Sequence, residues 1–266
     1  MGISLKTVIS LLLAGAAVAT SKSRPLASRY RSQAKAASVE SFKEDATGET
    51  SGTFYFPSWA GAYLNTSDVT SATGTFTVPT ISVPPGGDSS TNYCGCAWVG
   101  IDGVTNLCDG ALMQAGVDWC IQDGVASYSA WYEWWPAEAQ QFWDDVTVSA
   151  GDVITVSVTA SSTTGGSTTL ENTSNGQSAS YTWSGESPDL CEVTAEWIVE
   201  DFTIGDGMVA FADYGSVTFT GNSAVVGGTT VGLDGAYIAE MVSTTDGSDV
   251  ISESTISGND ITVTYQ

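Results

Sequence analysis

From about Ser51 to the C-terminus, apolar and polar residues alternate in short runs. "TGTFTVPTISV", "VTVSAGDVITVSVTA", "GSTTLENT", "SASYTWS", "GSVTFTG" and "DITVTYQ" all keep this period, bounded by Gly, Asn, Asp or Pro. A period of two sends successive side chains to opposite faces, the pattern of half-buried antiparallel strands. No long 3.6-residue pattern interrupts them, and only "PAEAQQFWDD" predicts a helical turn or two. Many short strands in a stretch of this length predict a single all-β domain, a curved antiparallel two-sheet β-sandwich of concanavalin or jelly-roll type. The curvature follows from large aromatics and glycines sharing one face.

The N-terminal part has another texture. An apolar run from Val8 to Ala19, closed by the small-residue pattern Ala17-Val18-Ala19, is too short for a membrane span and predicts a secretory signal peptide over residues 1–19. Residues 20–51 are rich in Ser, Ala, Lys and Arg and poor in apolar side chains, which predicts a basic propeptide. The domain proper is then 52–266. No later stretch approaches twenty apolar residues. The protein is expected to be secreted, extracellular, monomeric and without a membrane partner.

Charge narrows the chemistry. All seven basic residues lie within the first 43 positions, the chain has no histidine, and of 30 Asp and Glu only Glu40 precedes Glu44. The domain therefore has no side-chain cation to pair with its carboxylates, and their mutual repulsion falls only in acid. Nucleic acid is excluded as a partner, since nothing here neutralises phosphate. Without His or Lys the domain cannot build a Ser-His-Asp triad, a Ser-Lys dyad, a Cys-His pair or a histidine metal site, so no metal and no cofactor are expected. A pepsin-like site needs two Asp-Thr/Ser-Gly elements, and the chain contains none. Any enzyme chemistry here rests on carboxylates, helped by an amide, a tyrosine or a backbone N–H, and such groups work best at acid pH.

Strand parity shows where those groups meet. "AWVGID" puts Trp98, Gly100 and Asp102 on one face, and "MQAGVDW" does the same for Gln114, Gly116 and Asp118. "SAWYEWWP" aligns Trp131, Glu133 and Trp135, while "AEWIVEDF" aligns Glu196, Ile198 and Glu200. Tyr132, Trp134 and Trp197 point the other way, into the core. Four strands thus offer acid, amide and indole groups to one concave face, the form of a substrate cleft.

"AWVGIDG", "MQAGVDWC", "YSAWYEWWP", "LCEVTAEWIVEDF" and "VAFADYGSVTFT" closely resemble the fungal acid glutamic peptidases, the eqolisins. The resemblance runs from "SWAGAYL" to the C-terminal "ITVTY". It implies a curved β-sandwich that hydrolyses polypeptide substrates at low pH, with Gln114 and Glu196 as the catalytic dyad. Trp59, Trp98, Asp102, Asp118, Glu133 and Trp135 match the family's cleft and its supporting shell, although Trp135 stands where relatives often carry Tyr. The five cysteines imply two disulfides and one thiol; by resemblance Cys94 pairs with Cys120 and Cys108 with Cys191, leaving Cys96. Asn65 and Asn172 each open an "NTS" acceptor for N-glycosylation. The Ile81–Asn92 loop, cut in some relatives, holds no basic residue here and is expected to stay intact. The basic propeptide is expected to dock on the acidic cleft as an intramolecular inhibitor. Two other classes use similar residues: a jelly-roll glycoside hydrolase with Glu133 and Glu196 as paired carboxylates, and a non-catalytic carbohydrate-binding module. Neither needs Gln114.

Overall fold

The computed structural model describes residues 52–142, 145–205, 207–243 and 249–266, and Ser41–Lys43 as a backbone strand. The signal-peptide and propeptide assignments otherwise lie outside the described residues. Among those described there is no helix.

Hydrogen bonding runs through one long sheet that folds over on itself into two layers. The back layer orders its strands Gln177–Ser184, Gly165–Asn172, Val153–Ser162, Val69–Thr77, Ser216–Val226 and Asp260–Tyr265. The front layer orders Val125–Trp135, Leu112–Gln122, Tyr93–Ile101, Thr194–Glu200, Trp59–Asn65 and Tyr237–Val242. Strand Val250–Ser257 joins the layers, pairing with Asp260–Tyr265 on one side and Tyr237–Val242 on the other. These pairs are all antiparallel. Thr53–Phe56 adds to the front layer in parallel with Tyr237–Val242, and Ser41–Lys43 pairs in turn with Thr53–Phe56.

The alternating runs of the sequence are the back layer, whose inward residues include Phe76, Val156, Leu170 and Phe219. They meet Val99, Met113, Trp119, Trp134 and Trp197 from the front layer to form the main core. The layers approach closely where a side chain is missing. A Cβ at Gly74 would stand 2.6 Å from Trp197 Cδ1, and Trp197 Nε1 instead donates to Thr73 O at 2.8 Å.

Front strands are buried on both faces, so their alternation is masked by apolar residues on each side. Their outer face carries a second cluster that includes Phe56, Trp59, Tyr63, Trp98, Trp131, Ile198 and Phe202. This separation matches the expected parity: Trp134 and Trp197 lie in the core, and Trp98, Trp131 and Ile198 lie on the opposite face.

Two expectations change. "PAEAQQ" contributes the short strand Gln140–Gln141, paired with Trp131 and Tyr132, rather than a helical turn. Asn172 is fully buried. Its amide nitrogen donates to Thr147 O at 2.9 Å and Asp152 Oδ2 at 2.8 Å, so a glycan on that atom is incompatible with the fold. Asn65 is exposed at the end of its strand. The disulfides are Cys94–Cys120, between directly opposed residues of adjacent strands, and Cys108–Cys191.

Candidate active site

Strand register brings the chemistry together. Glu133 lies opposite Gln114, Gln114 opposite Gly100, Gly100 opposite Glu196, Glu196 opposite Tyr63, and Tyr63 opposite Tyr237. Directly opposed residues project from the same face, so these six form one row across the front layer. With strands about 4.8 Å apart, the Gln114 and Glu196 backbones stand roughly 10 Å from each other across Gly100.

Gly100 is required by this packing. A Cβ there would lie 2.9 Å from Trp98 Cζ3, 3.0 Å from Leu112 Cδ1 and 3.3 Å from Gln114 Cβ. The Trp98 ring is held in turn, because its Nε1 donates to Glu200 Oε2 at 2.8 Å.

Glu196 is fully buried, and neither carboxyl oxygen has a hydrogen-bond partner in the protein. Burial pushes its pKa well above the ordinary carboxylate range. The nearby Thr194 hydroxyl, although outside hydrogen-bond geometry, offsets part of that rise, and the charge of Asp102 adds to it. The domain from 52 onward holds no Lys, Arg or His to counter it. Gln114, also fully buried, donates from Nε2 to Glu133 Oε2 at 2.5 Å. Glu133 Oε2 accepts this bond, so the nitrogen end of the Gln114 amide points toward it. The second N–H of Nε2 and the unpartnered Oε1 remain for another group.

The other residues expected at the site take separate positions. Asp102 has a positive φ of 69° and accepts backbone N–H bonds from Cys191, Glu192 and Val193 at 2.8 Å and Thr194 at 3.3 Å. Burial still raises its pKa against those four bonds. It clamps the segment that enters the Glu196 strand, and Cys108–Cys191 pins the same segment covalently. Asp118 lies further along the Gln114 strand, opposite Cys96, and accepts from Ser129 Oγ at 2.6 Å and Gln141 Nε2 at 3.3 Å. It therefore belongs to a different row from the dyad. That row continues through Cys96 and Glu200 to Trp59, and the buried, unbridged Cys96 thiol donates to Glu200 Oε2 at 3.9 Å. Trp59 packs edge-on to Trp98 with ring centroids 4.8 Å apart. Trp135, half-buried opposite Leu112, ends the Glu133 strand at the rim.

Sequence reasoning missed two members, Tyr63 and Tyr237, and put Gly100 and Glu200 on the cleft face without giving either a role. Tyr63 and Tyr237 are placed by register alone, and the role of Gly100 rests on a contact that only the packed structure shows. Asp201, which follows Glu200, is almost wholly buried with its Oδ1 unpartnered. Burial, then the Glu200 charge, pushes its pKa up to about 8. No group of three or more potential metal ligands occurs among the described residues.

This β-sandwich presents an acid and an amide in one buried row, and with no cationic side chain in its domain any hydrolysis there must rest on those groups. The model of the Peptidase A4 family matches residues 57–265. The chain belongs to that family, the glutamic-type acid endopeptidases. It is 49% identical over 226 residues to aspergillopepsin-2 of Aspergillus niger, covering 79% of this chain and 78% of that protein. To scytalidopepsin B of Scytalidium lignicola it is 40% identical over 215 residues, covering 78% and 77%. Among solved structures, scytalido-glutamic peptidase with a transition state analog inhibitor superposes with a TM-score of 0.70 at 38% identity, covering 79% of this chain and 98% of that one. Aspergilloglutamic peptidase from Aspergillus niger gives a TM-score of 0.60 at 51% identity, covering 65% and 99%.

Proposed function

We propose that Glu196 and Gln114 hydrolyse the peptide bond together, with Glu196 handling the proton and Gln114 the developing charge. The observation that carries this reading is the row itself: a fully buried glutamate with both oxygens unpartnered, facing an oriented amide across Gly100. Glu196, ionised, takes a proton from a water molecule, whose oxygen bonds to the carbonyl carbon. The carbonyl π electrons move to oxygen, and the free N–H of Gln114 Nε2 donates to that oxyanion. Glu196 then gives the proton to the amide nitrogen as the C–N bond breaks, releasing an acid and an amine. No acyl-enzyme forms. Glu133 is a positioning residue that sets the Gln114 amide, and Asp102 is one that sets the strand bearing Glu196.

Nothing favours the sugar-cleaving alternative, since the relatives that the chain matches are peptidases. Two disulfides and the apolar leader fit a secreted protein made in an oxidising compartment. The basic leader supplies cations that the domain lacks, which suits an inhibitor that docks on the acidic face and leaves in acid. The direct test incubates a denatured protein and a β-glucan with the wild type and with Glu196→Gln across the acid range, from about pH 3 to about pH 6, because a general base works best near its own pKa. Peptide fragments from the wild type alone are expected. Glucan cleavage, or proteolysis by the variant, refutes the assignment.

A further inference from the structure

The catalytic row does not stop at Glu196. Tyr63 stands directly opposite it, Tyr237 stands opposite Tyr63, and Phe54 stands opposite Ala239 on the next strand outward. Their rings form a fixed group. Tyr63 and Tyr237 stack at 5.4 Å with 29° between planes. Phe54 meets Tyr63 edge-on at 5.8 Å and Tyr237 at 5.2 Å, and Phe56 meets Tyr63 edge-on at 6.1 Å. Tyr63 is buried as the floor, whereas Phe54 and Tyr237 are half-exposed as the rim. All lie on the face away from the main core, so packing between the layers does not require them. Burial holds the Tyr63 phenol above its usual range, with Tyr237 and Glu196 adding to the rise, so the floor carries no charge.

We propose that Tyr63, Tyr237 and Phe54 form a substrate subsite that selects a bulky aromatic or aliphatic side chain on the Glu196 side of the scissile bond, the peptide lying across the strands along this row. The inference rests on the dyad assignment above. Its distance from the chemistry follows from two repeats. Strands are about 4.8 Å apart, so Tyr63 lies roughly 10 Å and Tyr237 roughly 14 Å from the row position of Gly100. An extended peptide advances about 3.3 Å per residue, so these rings meet the third or fourth substrate residue from the cleaved bond. A preference this remote lifts kcat/KM through binding energy spent at the reacting centre, and peptides that end before the third residue cannot draw on it. Rigid aromatic walls select by buried apolar area, which favours Phe or Leu over Ala.

The test uses peptides of one parent sequence in which each of the four positions on either side of the cleaved bond is, in turn, Phe, Leu, Lys or Ala. The measured quantity is kcat/KM in acid for the wild type, Tyr237→Ser, Tyr237→Phe and Phe54→Ser. At one position three or four residues from the bond, the wild type is expected to favour Phe and Leu over Ala by about tenfold. Tyr237→Ser and Phe54→Ser should bring that ratio toward one, and Tyr237→Phe should restore it. A ratio unchanged in both Ser variants overturns the proposal, including the case where all peptides slow together. A preference for Lys at that position overturns it as well. If the wild type cleaves none of the peptides, the peptidase assignment fails first; cleavage without a Tyr237-sensitive position sinks only the subsite.

Discussion

Replacing Asp201 by Asn tests the physical cost of building this domain without cations. Asp201 is 5% exposed, its Oδ1 has no partner, and its pKa is pushed from 3.8 to about 8 by burial and then by Glu200. A raised folded value means that the folded state holds the proton more tightly than the unfolded chain. Below pH 3.8 both states are protonated and the group's favourable contribution is complete. Above that, unfolding releases a proton, and stability falls by about 1.36 kcal/mol per pH unit until the folded value is passed. The climb from 3.8 to about 8 then removes roughly 5–6 kcal/mol as an upper figure. Total stability for a domain is about 5–15 kcal/mol, so one such group matters. Asn imitates the protonated carboxyl and never ionises. Thermal unfolding should be followed by circular dichroism from acid to slightly alkaline pH, in a Gln114→Ala background to suppress self-digestion. The two proteins should unfold within about 1 kcal/mol of each other near pH 3.5, the ordinary spread for a near-isosteric change. Near pH 7.5 the Asp201→Asn variant should be more stable by several kcal/mol, or about 10 °C in Tm for a domain of this size. Parallel curves with a constant offset would refute the reasoning.

Glu196→Gln and Gln114→Ala should each lower kcat by at least ~10²–10³, from loss of the proton carrier or of one oxyanion donor, without shifting Tm downward by more than a few degrees. Activity within a few-fold of wild type in either variant would remove that residue from the dyad. Glu133→Ala removes the oxygen that accepts from Gln114 Nε2, so the amide loses its imposed orientation; a smaller drop in kcat than for Gln114→Ala is expected, and unchanged kcat contradicts the positioning role. Gly100→Ala forces Trp98, Leu112 or Gln114 to move, which should cost about 1–3 kcal/mol in stability and on the order of 10²-fold in kcat/KM; a fully active, equally stable variant contradicts the packing. Replacing both Cys108 and Cys191 by Ser opens a crosslink of sequence separation 83 and should cost about 2–5 kcal/mol by denaturant titration, with native stability as the contrary result.

Much of this fold was legible because its back layer is half-exposed. Val69–Thr77 and Val153–Ser162 bury every second residue through most of their length, so their period survives in the letters. The front strands were legible for another reason: charged or amide groups interrupt apolar runs at Gln114, Glu133 and Glu196, and parity assigns them one face. Parity does not give register. Whether Gln114 lies opposite Glu133 or two residues along is decided by turns and by the packing of whole strands, and the letters of either strand carry neither. For that reason the three carboxylates expected to support the dyad separate in space. Glu133 touches Gln114, Asp102 acts on the backbone near Cys191, and Asp118 belongs to another row. The "NTS" at Asn172 misled for a related reason, since a three-letter acceptor says nothing about whether its first residue is buried at the end of a strand with its amide already bonded.

The same scarcity of cations bounds the pH at which such a site can work, and the two limits belong to different residues. Glu196 must be ionised to take a proton from water, yet burial raises its pKa, so in acid the ionised fraction falls tenfold for each pH unit below that value. The cost is offset in part by the chemistry, because a more basic carboxylate accepts a proton more readily, and in part by donors brought with the substrate, which stabilise the charged form. The acid limb of kcat/KM should therefore follow Glu196. Raising the pH frees more of the base but ionises buried carboxylates that have no counter-charge, and Asp201, with a value of about 8, loses stability across the whole climb. The upper limb should therefore follow unfolding rather than catalysis. These origins separate experimentally: Asp201→Asn should carry the alkaline limit of activity to higher pH while leaving the acid limb in place. If both limbs move together, or if activity is lost at neutral pH while circular dichroism still reports a folded domain, the upper limit lies in the dyad and not in the fold.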